Sequence, residues 1–133
     1  MKDAWRDLAR DVKALRRKGA DDLWHETRIQ AKRVRYATEA VAPVFGKPAA
    51  KFERRMSTVT ELLGRHQDAA IAAAEAHAIA DHPSAGGTAG FVLGRLHDAS
   101  RAEVRQVRRE FLRSWPDVAD PRHRRWLRAR HSR

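Results

Sequence analysis

The chain has 133 residues, no cysteine, and 28 lysines and arginines against 17 aspartates and glutamates, for a formal net charge of +11. The composition excludes disulfide bonds and thiolate chemistry within this sequence, and no apolar run approaches the roughly 20 residues that a membrane span needs. Positive charge in this excess repels itself within a fold and attracts polyanions such as nucleic acid, acidic membrane surfaces or phosphate polymers. We expect a cytoplasmic protein that makes no membrane contact.

Helical spacing of apolar residues recurs along the chain, whereas runs typical of strands do not, so the sequence predicts an all-α fold. The first helix is predicted over about residues 3–18 and ends at Gly19, because glycine favours helix ends. One of the two aspartates that follow is expected to cap the second helix. That helix is predicted to run to about residue 42 and to end or kink at Pro43.

Two longer helices are predicted in the second half of the chain. The third spans about residues 48–81, and the fourth spans about residues 88–115 and is expected to stop at Pro116. An inner seam is predicted along the whole fourth helix, formed by Val92, Leu96, Val104, Val107, Phe111 and Leu112. Short connections between long amphipathic helices predict an antiparallel four-helix bundle over residues 1–116.

Residues 117–133 are predicted to form a basic tail. Asp120 and Pro121 are a typical N-cap and first-turn pair, so a short helix can begin here. Trp126 is the residue through which such a helix would dock. The alternative that the pattern leaves open is an unstructured tail.

The second predicted helix carries a row of basic side chains. At about 100° per residue, His25, Arg28, Lys32 and Arg35 fall on one stripe roughly 80° wide. Like charges at these spacings repel each other, which indicates a counter-anion. Arginine offers forked donors, lysine a mobile charge, and histidine a donor that gains charge as the pH falls through about 6–7. The stripe suits an extended phosphate chain; the alternative is a solvated helix face.

Two motifs in order give the chain its resemblance to a known family. The pattern H-x-x-R-x-x-x-K-R-x-R-Y-x-x-E runs from His25 to Glu39, and L-G-x-x-x-D follows from Leu63 to Asp68. This combination resembles the CHAD family, the conserved-histidine α-helical domain, over its C-terminal half. The family's domain consists of two similar helical bundles in tandem. The resemblance therefore implies a fragment, a natural half-domain, or a subunit whose homodimer supplies the second bundle.

The resemblance implies binding of inorganic polyphosphate, without catalysis and without a cofactor, and association with polyphosphate granules. It implies that Tyr36 and Glu39 orient the basic residues, and that Asp68 makes a hydrogen bond or a salt bridge between helices. Arg33 lies about 80° round the helix from His25 and is a more distant phosphate ligand. The implied phosphate-binding residues are His25, Arg28, Lys32, Arg33 and Arg35.

Several alternatives remain open at this point. Arg101, Arg105 and Arg108 share a helical face, which is either solvated exterior or an extension of the phosphate groove. A nucleic-acid-binding helical domain is a rival function, although no helix-turn-helix signature or aromatic stacking platform supports base recognition. An accessory domain of an enzyme that processes polyphosphate or triphosphate is another. No metal-ligand spacing and no glycine-rich phosphate loop occurs in the sequence.

Overall fold

The computed structural model of the chain describes residues 1–128, and residues 129–133 of the predicted tail lie outside the described part. Over the described residues the fold is all-α, as predicted, with helices packed side by side and no strand. The elements are α1 (Lys2–Ala14), α2 (Asp21–Phe45), α3 (Lys47–Ala80), α4 (Gly87–Val118) and a 3₁₀ helix (Pro121–Leu127). None of these helices combines the length and the apolar character that crossing a bilayer requires.

The four long helices run alternately up and down, with α3 in contact with α2, α4 and the 3₁₀ helix. Arg33 of α2 lies 3.8 Å from Asp7 of α1. At the other side, Arg55 near the start of α3 lies 3.4 Å from Asp117 at the end of α4. Helices that follow each other along the chain are therefore antiparallel neighbours.

The core lies where the apolar stripes of the four helices meet. Trp24, Phe52 and Phe111 are its largest members, and each is at most 1% exposed. Trp5 of α1 stacks on Trp115 of α4 with ring centroids 5.5 Å apart. Burial of aromatic side chains of this size is the main apolar contribution to folding, at roughly 25 cal/mol per Å² removed from water.

The first helix ends earlier than predicted, at Ala14 instead of about Lys18. Leu15 adopts an extended conformation, which turns its side chain inward to 3% exposure. The Arg16 guanidinium donates to the carbonyls of Lys13 and Leu15, each at 2.7 Å. These bonds satisfy carbonyl groups that a helix end leaves free, so the chain can leave the helix before the glycine.

Neither internal proline ends its helix at the expected position. Beyond Pro43, α2 continues to Phe45, and α4 continues beyond Pro116 to Val118. Proline removes one backbone N–H, but its fixed φ is helical, so a helix close to its end loses only one bond. Gly46 alone separates α2 from α3, with a φ of 77° that favours glycine.

The seam predicted along all of α4 is buried only in its C-terminal part. Val104, Val107 and Phe111 are buried, whereas Val92 and Leu96 are 58% and 48% exposed. The reason is helix length. The first residue of α2 is Asp21, and the N-terminal part of α4 extends past that end of α2. Val92 and Leu96 lie in this part, so α2 does not cover them. The prediction of an inner seam at Val92 and Leu96 was therefore wrong.

The C-terminal segment folds back onto the bundle. The Asp120 carboxylate accepts a bond from the Arg122 backbone N–H at 3.0 Å, as expected of an N-cap. Trp126 is 7% exposed and packs edge-on against Phe45 with centroids 5.0 Å apart. Of the two alternatives for this segment, the docked short helix is the one observed over residues 121–127.

Candidate anion-binding site

The four residues of the basic stripe lie together at the border between the core and solvent. The core-facing residues of α2 are Trp24, Thr27, Ala31, Val34 and Thr38. His25, Arg28, Lys32 and Arg35 follow this face immediately round the helix, and all four are half-buried. The opposite flank of α2 packs against α1, so the stripe lies on the flank that adjoins α3.

Gly64 explains how one stripe arginine reaches α3. A Cβ atom built on Gly64 would lie 3.7 Å from Nη2 and 3.8 Å from Nε of Arg28. The guanidinium therefore lies across the glycine, in the space beside the α3 backbone that a larger side chain would occupy. The two sequence motifs thus meet in space at this pair. Asp68 is exposed, and within residues 1–128 it makes neither the hydrogen bond nor the salt bridge expected of it.

The four stripe residues share a lack of acidic partners. Within the described part of the chain, no carboxylate oxygen lies within 4.0 Å of a nitrogen of His25, Arg28, Lys32 or Arg35. Their neighbour Arg33 is more exposed, lies 3.8 Å from Asp7 and donates to Gln30 at 2.8 Å. No carboxylate therefore compensates the charges of Arg28, Lys32 and Arg35, whereas Arg33 is partly neutralised.

Three stripe residues also contain buried nitrogen atoms without a partner. Within residues 1–128, Nδ1 of His25, Nε of Arg28 and Nε of Arg35 are buried and make no hydrogen bond. Leaving a buried polar group unpaired costs roughly 1–3 kcal/mol, and more when the group is charged. An oxygen-rich anion placed along the stripe would supply acceptors for these groups.

The two supporting residues behave differently from each other. The Arg35 guanidinium lies over the Tyr36 ring, 4.8 Å from its centroid, so Tyr36 does contact a stripe arginine. A cation held over an aromatic face at this distance is attracted electrostatically. Glu39 is exposed and makes no ion pair with the stripe within the described residues.

Two of the three residues predicted as a groove extension are bonded inside the bundle. Arg108 is 3% exposed, and its Nη1 donates to the carbonyls of Arg17 and Gly19 at 3.0 and 2.8 Å. Its Nη2 donates to Asp21 at 2.7 Å, and Arg101 donates to the other oxygen of Asp21 at 2.8 Å. Four of the five N–H donors of Arg108 are used once its bond to His66 is included.

Arg105 is the exposed member of that group. Because the guanidinium of Arg108 is committed to protein acceptors, it has little capacity left for a ligand. Arg101 is half-buried and held by a carboxylate. A continuous extension of the stripe through all three residues is therefore not what the geometry favours.

A buried histidine in this network was missed by the sequence reasoning. His66 is 1% exposed and stacks on Trp24 with centroids 5.1 Å apart and planes 11° from parallel. Its Nε2 accepts from Nε of Arg108 at 3.0 Å, so the ring is neutral with its proton on Nδ1. Burial, and then the charge of Arg108, lower the pKa of His66 from 6.5 to about 4.

The network holds the start of the stripe helix in place. Asp21 was one of the aspartates expected to cap α2, but the N-cap is Ala20, and no side chain caps the helix. Asp21 lies in the first turn and bridges two arginines of α4 instead. Arg108 also lies over the ring of Trp24, 5.1 Å from its centroid, and Trp24 precedes His25 in the sequence. The sequence does carry a signal for the burial of Arg108, because this arginine stands among apolar residues such as Val104 and Phe111 that recur at helical spacing.

The chemistry available at the stripe is donation of hydrogen bonds and positive charge. No cluster of three or more histidine, aspartate or glutamate side chains within residues 1–128 is arranged to hold a metal ion. Arginine and lysine donors in a row match phosphate oxygens, which are acceptors without donors.

Comparison with known proteins identifies one family. A family model described as CHAD domain matches residues 1–77, which is more than half of the chain. The match includes all of α1 and α2 and the part of α3 that carries Gly64. No curated protein and no solved structure matches the chain.

Proposed function

The chain belongs to the CHAD domain family, and we propose from this premise that it binds inorganic polyphosphate along the basic stripe of α2, without catalysing a reaction. The observation that carries the proposal is the set of buried, unpartnered nitrogen atoms of His25, Arg28 and Arg35 on one helix face. They form a row of unpaired polar atoms, two of which belong to charged guanidinium groups.

The dimensions of the stripe suit a linear polyanion. At about 1.5 Å per residue, His25 and Arg35 are separated by about 15 Å along the helix axis, with Arg28 and Lys32 between them. A phosphate chain carries a charge on nearly every unit and can follow such a row. Arg33 would make a peripheral contact because Asp7 competes for it, and Tyr36 would hold Arg35 in place.

The proposal extends to the partners and the location of the chain. A second bundle, supplied either by another copy of the chain or by an N-terminal half-domain, would add a second stripe facing the same polyphosphate. We place the protein in the cytoplasm, at polyphosphate granules. The support for both is the family membership of residues 1–77.

Removal of two stripe charges tests the site. Arg28→Ala combined with Lys32→Ala is expected to weaken binding of fluorescently labelled long-chain polyphosphate by about 100-fold, at roughly 1.5–3 kcal/mol per charged hydrogen bond. Arg105→Ala combined with Arg109→Ala is the matched control, because it removes two exposed charges from α4. We expect it to retain affinity within about threefold. Equal losses in the two variants would mean diffuse charge attraction instead of a site.

The net charge of +11 also favours a second candidate, nucleic-acid binding. Competition separates the two: double-stranded DNA at equal phosphate concentration is expected not to displace long-chain polyphosphate. Displacement would favour the nucleic-acid function. An enzymatic role predicts that the chain releases phosphate from polyphosphate when magnesium or manganese is present. An accessory role predicts that the chain stimulates phosphate release by a polyphosphate- or triphosphate-processing enzyme. We expect no phosphate release by the chain itself.

A further inference from the structure

A second basic cleft lies away from the stripe, where the α2–α3 connection meets the 3₁₀ helix. It is a cavity of about 560 Å³, within the range of roughly 300–1,000 Å³ typical of small-ligand sites. Its apolar floor includes Phe45, Phe52 and Trp126, and its polar lining includes Lys51, His123 and Arg125. None of the stripe residues lines it.

The charge of this cleft is positive. No acidic residue lines it, and within residues 1–128 Lys51 and Arg125 have no carboxylate partner within 4.0 Å. Two further lining arginines, Arg55 and Arg122, share Asp117 at 3.4 and 3.1 Å. Lys51 and Arg125 are exposed, so their charges are free to meet a ligand at the mouth of the cleft.

His123 provides an independent indication of a ligand. Its side chain is 10% exposed, and its Nε2 is buried without a hydrogen-bond partner in the described part of the chain. The nearest carboxylate oxygen, from Asp117, is 4.0 Å away, beyond hydrogen-bond distance. A buried imidazole nitrogen between basic side chains is suited to donate to an anionic oxygen.

The floor distinguishes this cleft from a simple phosphate site. Phe45 meets Trp126 edge-on at 5.0 Å, and Phe52 lies 6.1 Å from the same indole. Phe52 and Trp126 are themselves buried, so Phe45 and Pro48 supply the apolar surface that is open to a ligand, and the indole N–H already donates to the His123 carbonyl at 2.9 Å. Inorganic phosphate chains have no apolar part to cover such a floor, whereas a phosphate ester with a planar ring does.

We propose that this cleft binds a nucleotide-class ligand, with its phosphates on Lys51, His123 and Arg125 and its ring against the floor beside Phe45. The site is independent of the stripe in residues and in chemistry. The stripe would bind long phosphate chains, and the cleft would bind a short phosphate ester.

Calorimetric titration with ATP and with inorganic tripolyphosphate tests the proposal. We expect ATP to bind about tenfold more tightly than tripolyphosphate, because only ATP covers the apolar floor. Lys51→Ala combined with Arg125→Ala is expected to weaken ATP binding by about 30-fold and to leave long-chain polyphosphate affinity within about twofold. Both residues are exposed, so thermal unfolding should show an intact fold.

The stripe variant, Arg28→Ala with Lys32→Ala, is the matched control and should retain ATP affinity. Equal affinity for ATP and tripolyphosphate would overturn the proposal, as would unchanged ATP binding after the cleft substitutions. Loss of ATP binding in the stripe variant alone would assign ATP to the stripe. Failure of polyphosphate binding with ATP binding intact would instead count against the proposed function and leave this cleft in place.

Discussion

Arg28 and Gly64 form the contact at which the stripe touches α3, and the contact depends on the size of a single residue. A methyl group at position 64 would meet the guanidinium at ordinary van der Waals distance, 3.7 Å from Nη2. A longer side chain would occupy the space in which the guanidinium lies. Size at this position therefore controls the direction in which Arg28 points.

Two substitutions of Gly64 should have opposite consequences. Gly64→Ala is expected to stabilise the fold by about 0.5–1 kcal/mol through helix propensity and to preserve polyphosphate binding. Gly64→Leu should displace Arg28 and weaken polyphosphate binding by about tenfold. Urea unfolding and polyphosphate titration measure the two effects. Gly94 lies in α4 with open space around it, so Gly94→Leu is the control and should leave binding unchanged.

His66 makes the stability of the fold depend on pH. Its pKa is about 4 in the folded chain and 6.5 for the unperturbed group. Below about pH 6.5 the unfolded chain binds a proton that the folded chain does not bind until the pH is near 4. The free energy of unfolding should therefore fall by roughly 3 kcal/mol as the pH drops from 6.5 to 4.

Urea unfolding across this pH range measures the effect. His66→Gln should reduce the pH slope of the unfolding free energy, whatever its effect on absolute stability. His82→Gln is the control, because His82 is exposed and its ring lies in the loop before α4. A slope in His66→Gln equal to that of the original chain would contradict the assignment.

At the scale of elements, the arginine network joins α4 to the α1–α2 connection and to the first turn of α2. Arg108 contributes donors to two backbone carbonyls and to Asp21, and His66 brings α3 into the same network. Carbonyl groups in a connection have no helical partner, so a buried guanidinium is an efficient way to satisfy them. The network thereby sets where the stripe helix begins.

Removal of this guanidinium should destabilise the whole bundle. Arg108→Ala leaves the Arg17 and Gly19 carbonyls without their donor and opens a cavity beside Trp24, so we expect a loss of about 3–5 kcal/mol. Chemical denaturation measures it. Arg109→Ala, an exposed neighbour, should change stability by less than about 0.5 kcal/mol. A loss in Arg108→Ala as small as that of the control would show that the network is not structural.

At the scale of the whole molecule, one end of the α3–α4 pair remains uncovered. Ile79, Phe91, Val92 and Leu96 are 48–66% exposed there, because α1 and α2 are shorter than the two helices beside them. Exposed apolar side chains grouped at one end are typical of surfaces that meet a partner. The homodimer that the resemblance implies remains a proposal, and this end is the surface that we expect it to bury.

Light scattering tests the proposal in solution. We expect a dimer, and Val92→Lys combined with Leu96→Lys should convert it to a monomer with an unchanged helical spectrum. Ala102→Lys combined with Arg105→Ala changes exposed positions of the same helix outside this end and should leave the dimer intact. A monomer mass for the unsubstituted chain would remove the proposal.

The helical class and the stripe were predictable because both depend on spacing within one helix. Residues that recur every three or four positions share a face wherever the helix is placed, so the grouping of His25, Arg28, Lys32 and Arg35 needs no tertiary information. The same reasoning could not locate helix ends at Pro43 and Pro116, because one lost backbone bond is a small penalty beside the packing of the flanking residues.

Periodicity therefore establishes which side chains of this protein share a helix face, and composition establishes the excess of positive charge in the whole chain. Whether a face is buried depends on the lengths and positions of neighbouring helices, which is why Arg108 is enclosed while Val92 and Leu96 are exposed. The partners of each charge are likewise contacts between distant segments: Asp21 pairs with both Arg101 and Arg108, and no carboxylate within residues 1–128 reaches the stripe. Such pairings arise when helices pack, since local spacing carries no information about which opposite charge will lie within bonding distance.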